Sequence, residues 1–194
     1  MKFAPTNFFG PIIGLALLFQ ALTFSKEEAK YKKLRVEIFS VLSFCLGYNL
    51  LGYYWIPYTM KTFGGLLPPF NYLMGSLFSL IIAPHLITYV IGHRLYQRFS
   101  KQPESLVFNR AQRNFIFAIV FTLLEQLVPQ QFPSHAGHSW LVIAPFLGLS
   151  KIFGAPLFSF INFWLALGLA GVFKGQARDW WSIRFAGLAL FACA

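Results

Sequence analysis

Glu125 sits inside an apolar run from Phe115 to Val128, one helical turn before Pro129. A carboxylate in such a run is costly, and residues of this kind face a bundle interior or a wet cavity. Three roles stay open for it: a partner for a polar substrate group, an anchor that orders the loop that follows, or a helix-end carboxylate that reaches water. His85, preceded by Pro84, lies near the middle of another apolar run. A proton relay is one use for it, and a hydrogen bond to carbonyls freed by a proline kink is the plainer one. His135 and His138 are three apart, a spacing that suits a metal on a helix. They lie instead in a Gly-containing loop with no Cys, Asp or Glu beside them, so no metal site is expected. Cys45 reads as a packing residue, and Cys193 has no general base near it in sequence. There is no phosphate loop, Ser-His-Asp set or zinc motif, so neither a catalytic residue nor a cofactor is assigned.

Two loops hold the remaining candidates. Lys61-Thr62-Phe63-Gly64-Gly65-Leu66-Leu67-Pro68-Pro69 joins flexible glycines to stiff prolines, a mixture that makes tight, shaped turns. Phe132-Pro133-Ser134-His135-Ala136-Gly137-His138-Ser139-Trp140 is the second. Ordinary interhelical turns remain the alternative for both, since Gly and Pro mark loops everywhere.

The elements that must position these residues follow from composition. Of 194 residues, 57% are hydrophobic and 11% charged, against roughly 25% charged in an average soluble domain. Mean hydropathy is +0.59. A soluble globule of this size could not hide so much apolar surface. Disordered tails, disulfide scaffolds and cytosolic enzymes are excluded, and the chain reads as an all-α, polytopic membrane protein. Spanning needs about 20 apolar residues. Phe8 to Phe24, Val36 to Ile56, Tyr72 to Ile91 and Ile152 to Phe173 supply them. Phe115 to Val128 crosses only if extended at both ends or if the bilayer thins. Trp140 to Leu149 reads as a re-entrant or interfacial segment, and Phe185 to Ala194 as a truncated last helix. About five spanning helices are therefore expected, in one domain over residues 1–194.

Net charge is +10, but 13 of the 16 Lys and Arg fall in three gaps, 25–35, 92–114 and 174–184. Topology explains them better than nucleic-acid binding, which is not expected. The positive-inside rule puts the N-terminus, the loop from Pro57 to Phe70 and the segment from Pro129 to Lys151 outside. Tyr53, Tyr54, Trp55 and Tyr58 then mark the outer interface, and Trp180 with Trp181 the inner one.

At these loops the chain resembles the membrane portion of apolipoprotein N-acyltransferases. Phe3-Ala4-Pro5 through Phe24 is similar to the family's second helix with its F-x-P turn. Gly52-Tyr53-Tyr54-Trp55-Ile56, then Phe63-Gly64-Gly65 and Pro68, resembles its aromatic-Trp and F-G-G-x-P pattern. Glu125, Phe132-Pro133 and Gly137-His138-Ser139 resemble its E…FPW…G(Y/N)S stretch, with Ser134 where Trp is usual. Gly154 with Phe158-Ser159-Phe160 and Asn162 resembles a later helix segment. The resemblance implies acyl transfer from a membrane phospholipid to the α-amino group of a diacylated lipoprotein's N-terminal cysteine. It places that chemistry on the outer face of the bacterial cytoplasmic membrane, by a ping-pong route through a thioester. It also implies a Glu-Lys-Cys triad in a nitrilase-like domain that follows the membrane helices. This sequence is expected to lack that domain, as a fragment or as half of a split enzyme with a separate nitrilase-like catalytic chain. The alternative is a non-catalytic membrane scaffold or lipid-binding protein derived from the family. Substrate-facing roles are expected for Trp55, Phe63, Gly64, Gly65, Pro68, Glu125, Phe132 and Pro133, and without a partner no acyl transfer.

Overall fold

The computed structural model describes residues 6–24, 35–44, 47, 55–82, 85–100, 110–129, 135–140, 150–173 and 184, and every regular element among them is helical. Helix α1 spans Thr6–Phe24, α2 covers 35–44, α3 spans Trp55–Thr62 and α4 Phe70–Ile82. They are followed by α5 (His85–Ser100), α6 (Arg110–Leu127), a 3-10 turn at His138–Trp140 and α7 (Ser150–Val172).

Several boundaries differ from the sequence-based spans. Helix α3 carries Trp55 and Ile56 on to Thr62, so the expected loop from Pro57 begins as a helix. Pro57 is tolerated there because first-turn N–H groups have no intrahelical partner anyway. The run from Tyr72 to Ile91 is described as two helices, α4 and α5, on either side of residues 83–84, and α5 continues to Ser100. His85 is thus the first residue of a helix. Helix α6 begins at Arg110, ahead of the apolar run, and its 18 residues reach about 27 Å. Helix α7 holds Pro156 and breaks from helical geometry at Gly154, the kind of kink that such a pair causes. Cys45, Cys193, Trp180, Trp181 and most of the expected interfacial segment lie outside the described residues.

Among the described residues, one helical stretch, Ile152–Val172, is by itself long and apolar enough to cross a bilayer; Phe9–Thr23 is apolar but shorter. The core forms where α7 packs on α1 and α6, and α5 on α6. Phe19, Tyr89, Phe121 and Phe163 make one aromatic cluster, with centroids 5.0 Å apart for Phe19–Phe121, 5.3 Å for Phe121–Phe163 and 5.2 Å for Tyr89–Phe163. Offset and edge-on rings at such distances add to packing beyond their buried area.

The outward faces are apolar too. Phe9, Ile13 and Leu17 on α1, Ile87, Ile91, Leu95 and Phe99 on α5, and Phe115, Ile119, Leu123 and Leu127 on α6 are 39% to 76% exposed. Their four-residue spacing puts each set on one helix face. A soluble bundle would carry polar residues there, whereas a helix that is apolar all round belongs in a membrane or a deep core. Polar contacts gather at the two ends of the bundle. At one end the tail of α1 meets α5 and α5 meets the start of α6; at the other, α6 and α7 meet the turn at 135–140.

Candidate functional site

Glu125 is 0% exposed, on the last full turn of α6. Its Oε1 accepts two hydrogen bonds, from the Tyr89 hydroxyl on α5 at 2.7 Å and from the Ala136 backbone N–H at 2.7 Å. Ser159 on α7 is a further hydrogen-bond partner. One carboxyl group therefore joins two neighbouring helices to the loop. Tyr89 lies in the aromatic cluster and directs its hydroxyl at Glu125, which satisfies the one polar atom its burial would otherwise strand.

The loop is fastened from the other side by α7. The Ser159 hydroxyl accepts from Gly137 N–H at 2.9 Å, and Asn162 Nδ2 donates to the Ala136 carbonyl at 2.6 Å. The indole N–H of Trp140 donates to Asn162 Oδ1 at 3.0 Å, and the indole stacks on Phe158. Ser159 and Asn162 are three apart, so they share one helix face. Gly137 sits directly on that face: a Cβ there would overlap Ala155 O and Ser159 N, and would lie 2.7 Å from Phe158 Cβ. Only glycine lets the two backbones approach this closely.

The two histidines brace the same turn. His138 Nδ1 accepts from the His135 backbone N–H at 3.2 Å, and the rings meet edge to face at 4.9 Å. His135 Nδ1 lies 3.3 Å from Gln126 Nε2 and 3.7 Å from Glu125 Oε2. With Gln126 donating, that nitrogen accepts, which selects the neutral ring. Burial also pushes the His135 pKa below its ordinary value.

The first loop is built differently. Residues 61–70 are exposed throughout. Met60 O accepts from Gly64 N at 3.1 Å and Leu66 N at 3.2 Å, closing the end of α3, and Gly65 turns the chain with φ +66°. A side chain at that angle would be strained. Asn71 Nδ2 donates to Pro57 O at 3.2 Å and staples α4 to α3. Phe63 is 84% exposed, and Tyr58, Leu67 and Phe70 are exposed beside it.

Of the sequence-derived candidates, the structure brings Glu125 together with Gly137 and the His135–His138 turn. Phe63, Gly64, Gly65 and Pro68 lie on the separate exposed turn, and Trp55 begins the helix leading into it. Phe132 and Pro133 lie outside the described residues. Tyr89 was not anticipated, and one tyrosine in an aromatic-rich apolar run carries no distinguishing signal. Ser159 and Asn162 had one: two polar residues a turn apart in an apolar helix.

The family model for the apolipoprotein N-acyltransferase N-terminal domain matches residues 1–168. An apolipoprotein N-acyltransferase from Haemophilus influenzae is 26% identical over 144 residues, which is 70% of this chain and 24% of that relative. The chain therefore spans about a quarter of the length of the curated relative it matches. No solved structure matches.

Proposed function

We infer the role of this chain from one premise: it belongs to the apolipoprotein N-acyltransferase N-terminal domain family. Its helices form a multi-pass bundle in the bacterial inner membrane, with the N-terminus and both Gly/Pro loops on the outer side. The outward apolar stripes on α1, α5 and α6 support that placement, because they give lipid a continuous apolar surface. Glu125, near the end of α6, has its Oε1 satisfied by protein alone, through the Tyr89 hydroxyl and the Ala136 N–H.

The bundle presents a membrane phospholipid as acyl donor and a diacylated lipoprotein as acceptor to a nitrilase-like catalytic unit, on this polypeptide or another. The observation that carries this reading is the pairing of a clamped loop with a free one. Glu125 fixes the 135–140 turn against α7, while Phe63, Leu67 and Phe70 stand exposed on the turn shaped by Gly64, Gly65 and Pro68. The rigid turn supplies a platform, and the apolar turn is the part able to touch an acyl chain. Trp55, Phe132 and Pro133 flank the two turns in sequence and complete the substrate-facing set.

The test is complementation of a strain deficient in lipoprotein N-acylation, read by mass spectrometry of a reporter lipoprotein. The 194-residue chain alone is expected to leave the reporter diacylated, and the chain with a nitrilase-like unit to restore the third acyl chain. Stable, membrane-inserted protein that fails in both arms, or succeeds alone, overturns the reading. Topology has its own check: S134C is expected to react with an impermeant maleimide in intact spheroplasts, and K101C only after lysis.

A further inference from the structure

Arg113 is the least explained charge in the described structure. It lies in the first turns of α6, at the end of the bundle away from Glu125, and is 8% exposed. Its Nε is sealed and has no hydrogen-bond acceptor among the described residues. Its guanidinium lies 5.5 Å over the ring of Tyr96, and that π face is its only described partner. The Tyr96 hydroxyl is already turned to Asn114, donating to Oδ1 at 2.8 Å. Of the two acids among the described residues, Glu37 is paired with Arg94, and Glu125 lies at the other end of α6. His93 is engaged by Thr23 and Gln97, and neither of those brings a negative charge. Among the described residues this cation, withdrawn from water, has only an aromatic face for company, whereas buried charges are otherwise paired.

We propose that Arg113 binds the phosphate of an anionic phospholipid in the inner leaflet, in a site floored by Tyr96, Phe99 and Phe117. The chemistry asked for is a phosphate monoanion, which matches the planar donor fork of arginine. The apolar surroundings decide for a lipid over free phosphate. Phe117 follows Arg113 by one turn and packs against Tyr96 at 5.1 Å and Phe99 at 5.9 Å. Phe99 also ends the exposed stripe that runs along α5 through Leu95, Ile91 and Ile87. A lipid lying on that stripe brings its acyl chain along apolar side chains and its headgroup to the arginine. Arg98, exposed on the adjoining position of α5, adds positive potential there. Basic pockets between spanning helices on the cytoplasmic side bind anionic headgroups in this manner. The site rests on the membrane placement proposed above and not on acyl transfer, so it stands or falls separately from the catalytic reading.

The experiment uses the full chain purified in neutral detergent. Binding is read by native mass spectrometry and by the thermal midpoint, with phosphatidylglycerol, phosphatidylcholine of the same acyl chains, or inorganic phosphate. Phosphatidylglycerol is expected to be retained and to raise the midpoint, while phosphatidylcholine and inorganic phosphate are not. Arg113→Gln is expected to weaken phosphatidylglycerol binding about fivefold or more, the factor that one basic residue contributes at an anionic lipid surface. Arg113→Lys keeps the charge without the fork and falls between. Equal retention of the two lipids, full phosphatidylglycerol binding by Arg113→Gln, or a shift produced entirely by inorganic phosphate each overturns the proposal. Should Arg113→Gln fail to fold, Arg113→Lys and the three-ligand comparison on the unaltered chain decide.

Discussion

The two Gly/Pro loops look alike in sequence and are opposites in structure. Residues 61–70 are exposed throughout and held mainly by their own backbone, through Met60 O and the Asn71–Pro57 staple. Residues 135–140 are pinned by side chains from two helices, Glu125 on α6, itself held by Tyr89, and Ser159 and Asn162 on α7. Composition alone does not separate a loop that is free from one that is clamped. What separates them is a polar group placed inside an apolar helix at the depth where the loop must dock. The carboxyl of Glu125 has no reason to be there without a donor, and the Ala136 N–H has no described acceptor without it.

The largest break in that contrast comes from Glu125. Glu125→Ala removes the acceptor for Tyr89 and Ala136 at once and leaves buried donors unmatched, at a cost on the order of 3 kcal/mol. The clamped loop is then expected to behave like the free one, with faster proteolysis around residues 130–140 and a lower thermal midpoint. Glu125→Gln keeps an acceptor oxygen and is expected to retain much of the protection. Unchanged proteolysis in Glu125→Ala would end the clamp account.

Gly137→Ala attacks the same clamp sterically. Its Cβ meets backbone atoms of α7 that cannot swing aside, so about 1–3 kcal/mol is expected, the usual range for overpacking. Gly65→Ala is the matched control on the other loop. No atom lies within 4 Å of its added Cβ, so the cost there is the positive φ alone, about 1 kcal/mol. A Gly65 variant as damaging as the Gly137 variant would erase the distinction between packing and backbone strain.

Phe63→Ala sharpens the comparison from the free side. Its ring is exposed, so stability is expected to stay within about 0.5 kcal/mol. N-acylation by the chain supplied with the proposed nitrilase-like unit is expected to fall, because the ring's proposed work is on lipid. A fall in stability with activity intact would reverse that assignment.

Much of this was legible beforehand, and for reasons of energy. A carboxyl inside an apolar run is expensive enough to be noticed, which is why Glu125 stands out in the sequence alone. The apolar runs of α1 and α7 are legible as well, since long unbroken apolar stretches stand out from the rest of the sequence. Tyr89 was not legible, because its function depends on which way one hydroxyl points within a shared core. The reach of α5 to Ser100 escaped too, as apolar periodicity reports composition and says little about where a helix ends. Arg113 was counted among the inner positive charges, and nothing in that count distinguishes a buried arginine from a solvated one.

The smallest expected effect concerns acid. Burial holds the His135 pKa below its ordinary value of about 6.5, so the unfolded chain takes up the proton more readily than the folded one. Stability from the neutral ring is whole above about pH 6.5 and is lost as pH falls below that toward the lowered value. The groups facing this ring are Glu125, Gln126 and His138. Protonating Nδ1 would cost the bond from Gln126, and protonating His138 Nδ1 would cost the bond from the His135 N–H. Both losses fall on the clamped loop and none on residues 61–70, which contain no histidine. Proteolysis near residue 135 is therefore expected to speed up between pH 7.5 and pH 5.5 while cleavage near residue 65 does not, and His135→Gln should flatten the difference. If both loops loosen together in acid, the protons act on the bundle as a whole, through its remaining acids and histidines, and the clamp is not where acid enters.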